Sequence, residues 1–264
     1  TNLTAAEQRN AFFGPAREQV KSLVSILDQM NSEKNFVGFS NSRMAYDDVL
    51  ARLCFSLERR TLTEKISANI LADRYRDAHA FPEEIFCRAR KAIEIFGEVR
   101  HETLVPLHFN KATLFSWLWF ICFIDDSKDI DNRTQTITEF IKYFEELRNR
   151  DFSKWGFDSE TQTNRKELRI DHEDKEKGAF FLQLLFIYND RASSRVANVS
   201  SVLSRDIVLW TYYDLYLEKR LHTISKHPRI QLIRGIEITL AKHSRLVAPE
   251  FLDAVTQKKK KKTV

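Results

Sequence analysis

The stretch Leu114–Ile124, LFSWLWFICFI, decides the fold. It holds ten apolar residues and one serine. A bilayer-spanning helix needs about 20 apolar residues, so this run is too short to cross a membrane. No apolar–polar alternation marks it as a half-exposed strand. It reads as a helix buried in a core, opening at about Asn110.

The segments on either side carry helical signals. Upstream, Thr4 followed by Glu7 forms a capping box before a short helix, and Gly14-Pro15 closes it and opens the next. Val20, Leu23, Val24 and Leu27 recur at spacings of three and four, which marks one face of a helix from Ala16 to about Met30. Residues 31–41 read as a loop, and a third helix runs from Ser42 to Leu57. Thr63 is taken as the cap of a helix reaching Ala78, and Pro82 as the start of one ending near Gly97. Downstream, Asp125–Asn132 make a polar break before a helix over Thr134–Asn149. Further helices are expected at 174–188, 198–219 and 228–246, with a short one after Pro249.

Composition agrees. Gly numbers 6 and Pro 5 in 264 residues, well below the roughly 12% of average usage. That scarcity argues against turn-rich β folds. The expectation is all-α, a bundle of about ten helices with no significant sheet. Residues 150–172 are the best internal boundary. The division is residues 1–160 and 161–257 as two parts of one helical body, then 258–264 as a basic disordered tail.

The formal net charge is +5. Lys258, Lys259, Lys260, Lys261 and Lys262 account for that excess, so the body is neutral. A uniformly basic nucleic-acid-binding body is therefore excluded, though a local basic face is not. The lysine run has two readings, a solvated end or a phosphate-contacting tail. Cys54, Cys87 and Cys122 lie in apolar helical segments without C-x-x-C spacing, which suggests buried free thiols and a cytoplasmic setting. No secretory signal opens the chain. It begins with Thr1 rather than Met, which points to a fragment or a processed chain.

No phosphate loop and no H-E-x-x-H are present, and the seven histidines are scattered. Asp125, Asp126, Asp129 and Asp131 lack the Gly and Glu that an EF-hand requires. They read as a helix-terminating loop, with metal-assisted phosphodiester cleavage as the rival. The segment Tyr188–Arg205 sets Arg191, Arg195 and Arg205 among serines at a helix start. Such a group either holds phosphate oxygens or pairs with acids elsewhere. Lys219 and Arg220 belong to a second basic patch. Trp210–Tyr216, WTYYDLY, either stacks bases or packs the core.

Three stretches resemble one family. LTAAEQRNAFFG (Leu3–Gly14) is similar to its L-x-x-x-E-x-R-N-A helix start. SRMAYDDVLARL (Ser42–Leu53) is similar to the helix that follows, and Arg191–Arg205 resembles its serine/arginine region. The family contains GmrSD-type, modification-dependent restriction proteins, in which a ParB/sulfiredoxin-like domain precedes a helical region. The D-G-Q-Q-R motif of nucleotide hydrolysis and the H-x-x-P…N stretch of the HNH nuclease are absent. The resemblance implies the helical, DNA-engaging or scaffolding half of an anti-phage defence protein. Nucleotide and divalent metal would belong to the missing half, no cofactor to this one, and this chain alone is not expected to be catalytic. Glu7 and Arg9 would sit at the junction with the ParB-like domain, as an ion pair or as part of a nucleotide pocket. The partners implied are DNA, that domain or a separate catalytic subunit, and a second copy of the chain. The competing reading is an all-α protein–protein interaction or dimerisation module.

Overall fold

The computed structural model describes residues 2–32, 36–102, 107, 109–124, 130–149, 184–193 and 197–217. Among these residues every regular element is helical. The helices are α1 (Ala5–Arg9), α2 (Pro15–Ser32), α3 (Ala45–Arg59), α4 (Ala68–Arg76), α5 (Glu83–Glu102), α6 (Lys111–Phe123), α7 (Ile130–Arg148), α8 (184–193) and α9 (Val199–Leu217). A single 3-10 turn, Ser42–Met44, leads into α3.

The apolar run is α6, and each residue from Ala112 to Ile121 is buried. Asn110 caps it, its Oδ1 accepting from the N–H groups of Ala112 and Thr113 at 2.9 and 3.0 Å. The Asn110 Nδ2 also donates to the Ala192 carbonyl at 3.0 Å, so the cap ties α6 to α8. Around α6 lie α3, α5 and α9, with α2 against α3 and α5. Trp117 meets Phe120 within α6, and Phe140 and Phe144 of α7, edge to face at 5.6–5.8 Å. Aromatic pairs of this kind contribute about 0.5–1.5 kcal/mol each beyond their burial. Trp210–Tyr216 joins the same core. Tyr212 is fully buried, and Tyr213 contacts Phe120 at 5.2 Å and Phe140 at 5.1 Å. These rings pack rather than offer stacking faces to bases.

A polar thread runs through this aromatic core. The Trp117 Nε1–H donates to Glu145 at 2.7 Å, and Glu145 is wholly buried. Arg148 approaches the other carboxylate oxygen at 2.6 Å. Arg148 Nη1 then donates to Asn189 Oδ1 at 3.2 Å, and Asn189 Nδ2 returns a bond to the Arg148 carbonyl at 3.0 Å. One indole, one ion pair and one amide thus fix the relative positions of α6, α7 and α8.

Several boundaries differ from those expected. Ser67, not Thr63, caps α4 and accepts from the Ile70 N–H at 3.3 Å. Thr63 is drawn into a turn in which its own N–H donates to Thr61 Oγ1 at 3.0 Å. Helix α5 passes through Gly97 instead of ending there. A Cβ at Gly97 would lie 2.7 Å from the Met30 sulfur, so the glycine serves the close approach of α2 and α5. Helix α7 begins at Ile130 and takes in Asn132, four residues ahead of the expected Thr134 start. Helix α8 extends to residue 193 rather than 188. Cys54 is buried as expected, but Cys87 is exposed. The entry to α3 holds Arg43 and Met44 at φ of 55° and 58°, a left-handed pair that sharply turns the chain. The expected boundary at 150–172 and the helix at 228–246 fall outside the described residues, as does the lysine run. No described helix is long and apolar enough to cross a membrane.

Candidate functional site

The site is assembled from the amino-terminal capping box. The Thr4 N–H donates to Glu7 Oε2 at 2.6 Å, and the Glu7 N–H donates back to Thr4 Oγ1 at 3.3 Å. The Thr4 N–H bond contributes most to holding the Glu7 carboxyl below its usual range, followed by the Thr4 hydroxyl, which donates to the same oxygen at 2.8 Å, and by Arg43 at 3.4 Å. Glu7 is therefore a structural cap. Two residues later Arg9 points inward and is 1% exposed.

Arg9 meets the two acids that open α3. Its Nη2 lies 2.9 Å from Asp48 Oδ1 and 3.7 Å from Asp47 Oδ1. Asp48 gathers two more cations, Arg52 at 3.4 Å one helical turn along and Lys111 at 4.0 Å from the first turn of α6. The neighbouring carboxyls consequently behave in opposite ways. Burial pushes Asp48 upward, but Arg52, Arg9 and Lys111 outweigh it and hold the group below its ordinary value. Burial pushes Asp47 up to about 6, and the more distant Arg9 offsets only part of that.

Asp48, Arg52 and Lys111 line a cleft of about 120 Å³ between α3, α6 and α9, with Ser56 and Arg205 also in its lining. Lys111 is half exposed, and Arg52 is about a quarter exposed with its Nη1 donating to the Ile66 carbonyl at 2.6 Å. The Ser56 hydroxyl is buried without a hydrogen-bond partner among the described residues. Most of the remaining lining is apolar, including Val49, Leu62 and Phe115. The cleft carries both signs of charge, Arg52 and Lys111 with Asp48 and Glu64, beside an apolar wall.

Arg205, expected at a phosphate-facing surface, lies inside the helix packing at 1% exposure. Its Nε donates to Ser116 Oγ at 2.9 Å and its Nη1 to the Arg191 carbonyl at 2.6 Å. Burial lowers its pKa to about 10, so it remains charged at neutral pH. Arg191 is partly exposed and lies 3.6 Å from Asp190. Arg205 is therefore a structural clamp at the cleft floor, not a surface phosphate ligand. Arg195, Lys219, Arg220, Lys258, Lys259 and Lys260 fall outside the described residues, as do Asp125, Asp126 and Asp129. Asp131 lies in α7. Among the described residues no group of three or more His, Cys, Asp or Glu is placed to hold a metal.

Arg52 and Lys111 were not singled out from the sequence. The available signals were the Asp48/Arg52 pair at i,i+4 and the position of Lys111 just after a capping Asn. Neither says that the two meet. Comparison of the chain with family models, curated proteins and solved structures returned no match.

Proposed function

We propose that this chain is a helical scaffold that engages DNA phosphates as part of a restriction-like defence protein. The observation that carries the proposal is the gathering of Arg9, Arg52 and Lys111 around Asp48. Asp47 and Asp48 opposite Arg9, Arg52 and Lys111 leave one positive charge in excess. Asp48 positions Arg52 and Lys111 at the cleft mouth, where a backbone phosphate reaches both. Contacts of this kind set register rather than read bases. With so few cations the salt dependence is shallow, roughly one to three phosphates' worth. The test is duplex binding by fluorescence anisotropy across a salt series, with Lys111→Glu as the comparison.

A second reading, an interaction module, has its own observation. Phe13 is 93% exposed and Leu3 62% exposed, at either end of α1. Large apolar side chains left exposed in this way are candidates for a contact surface. A mass by light scattering that rises with concentration, and that Phe13→Ser abolishes, favours this reading over DNA engagement.

A further inference from the structure

Helix α1 is held down mostly by polar contacts. Of its five residues only Ala6 and Arg9 are buried. The large apolar side chains flanking it face outward, with Leu3 62% and Phe13 93% exposed. Its docking surface is loosely packed. A cavity of about 310 Å³ lies between α1 and α4, with Gln8, Phe12 and Ala72 in its lining. Folded interiors otherwise leave few voids larger than a water molecule.

Where α1, α3 and α4 meet, three side chains leave polar atoms unsatisfied. Arg9 engages Asp48 through Nη2. Its Nε and Nη1, the Asp47 Oδ1 and the Tyr75 hydroxyl are buried without a hydrogen-bond partner among the described residues. The three groups lie together. Asp47 Oδ1 is 3.7 Å from Arg9 Nη2, and the Tyr75 phenol is pushed up by burial and then by the Asp47 charge. Buried polar groups in this condition carry their full desolvation cost. Opening α1 returns them to water.

The backbone against which α1 rests is strained as well. Arg43 and Met44 hold φ of 55° and 58°, a region that residues with a Cβ rarely adopt. Arg43 also ties down the start of α1. Its Nη2 donates to the Asn2 carbonyl at 2.6 Å, and its own carbonyl accepts from Thr4 Oγ1 at 3.4 Å. Strain of this kind persists only where the surroundings over-determine it.

We propose that α1 is a strap that opens as a unit about the Gly14-Pro15 joint while the helices around α6 stay folded. Its opening uncovers Asp47, Asp48 and Tyr75 and takes Arg9 away from them. The single excess positive charge around the two aspartates then falls to none, so the cleft between α3 and α6 has its surplus charge only with the strap closed. Elements that move in function are drawn from the least stable parts of a fold. The opening does not rest on the DNA reading, and its test involves no DNA.

The test is native-state hydrogen exchange of the full chain, read residue by residue by NMR. The Gln8, Asn10, Ala11 and Phe12 amides are all hydrogen-bonded, so their exchange reports opening rather than surface exposure. They are expected to be at least about tenfold less protected than the amides of α6. Tyr75→Phe separates a strap from a helix that merely frays. It deletes the orphaned hydroxyl, favours the closed state and is expected to raise α1 protection about five- to tenfold. Protection of α1 equal to that of α6 overturns the inference, since α1 then opens only with the whole fold. Low protection that Tyr75→Phe leaves unchanged or lowers does the same, because α1 then opens without uncovering Tyr75.

Discussion

Arg9 and Asp48 stand 2.9 Å apart across 39 positions of sequence, and Arg9 is closed to water. This contact anchors a helix of only five residues, which has little stability of its own. The pair also sets the geometry of both cavities, since Asp48 lines one and Arg9 the other.

Removing Arg9 leaves the buried Asp47 without its cation, while Asp48 keeps Arg52 and Lys111. Arg9→Met is expected to cost about 1–3 kcal/mol, the range for a buried polar group left without its partner. The check is urea unfolding at pH 7 followed by tryptophan fluorescence. A loss below about 1 kcal/mol would show that α1 is held by its apolar contacts instead.

Asp47 gives stability a definite pH dependence. Its folded pKa is raised to about 6, against about 3.9 in an unfolded chain. The folded state therefore holds this proton more tightly than the unfolded state. The resulting stability is fully present below about pH 4 and is lost as pH rises through about 6. Asp48 is shifted the opposite way, so the effect is isolated by comparison with Asp47→Asn. Relative to wild type, that variant should gain on the order of 2–3 kcal/mol between pH 4 and pH 7. Parallel stability curves for the two proteins would contradict the assignment.

Glu145 is the polar residue on which the aromatic core depends. Glu145→Leu leaves the Trp117 N–H and the Arg148 guanidinium without their shared acceptor. A loss of about 3–5 kcal/mol is expected. The Trp117 environment should change with it, so near-ultraviolet circular dichroism is the second readout. An unchanged spectrum with unchanged stability would mean that the indole finds another partner.

The local parts of this fold are legible in sequence because their partners lie three or four residues apart. Thr4 with Glu7, Gly14 with Pro15, and Asn110 ahead of the apolar run all fall where the spacing puts them. Gly97 is misleading because its reason is Met30 on another helix. Thr63 misleads because a better-placed hydroxyl, Ser67, stands four residues on. The candidate site is less legible still. Asp48 collects its cations from α1, α3 and α6, and no periodicity joins Arg9 to Lys111. Arg205 carries the composition of a phosphate ligand, and only the packing of α9 on α6 reveals it as a buried clamp.

Gly97 also yields a packing test. Gly97→Ala gains helix propensity of about 1 kcal/mol, while its Cβ pushes on the flexible end of Met30. The two effects should nearly cancel, within about 0.5 kcal/mol. Gly97→Leu cannot be absorbed in this way and is expected to cost about 1–3 kcal/mol by overpacking. Thermal unfolding of the two variants side by side checks both values. Equal losses would mean that α2 and α5 are not in close approach at this point.

Phosphate engagement by Arg52 and Lys111 at the cleft mouth is the core of the proposed function. Its most direct test is anisotropy of a labelled DNA duplex with wild type and Lys111→Glu at several salt concentrations. Lys111 is half exposed, so the substitution should leave the fold intact. Wild type is expected to bind with a log–log salt slope between about −1 and −3. Lys111→Glu should reduce the magnitude of that slope by about one and weaken binding at every salt concentration. Identical curves for the two proteins, or no binding at low salt, would contradict the claim.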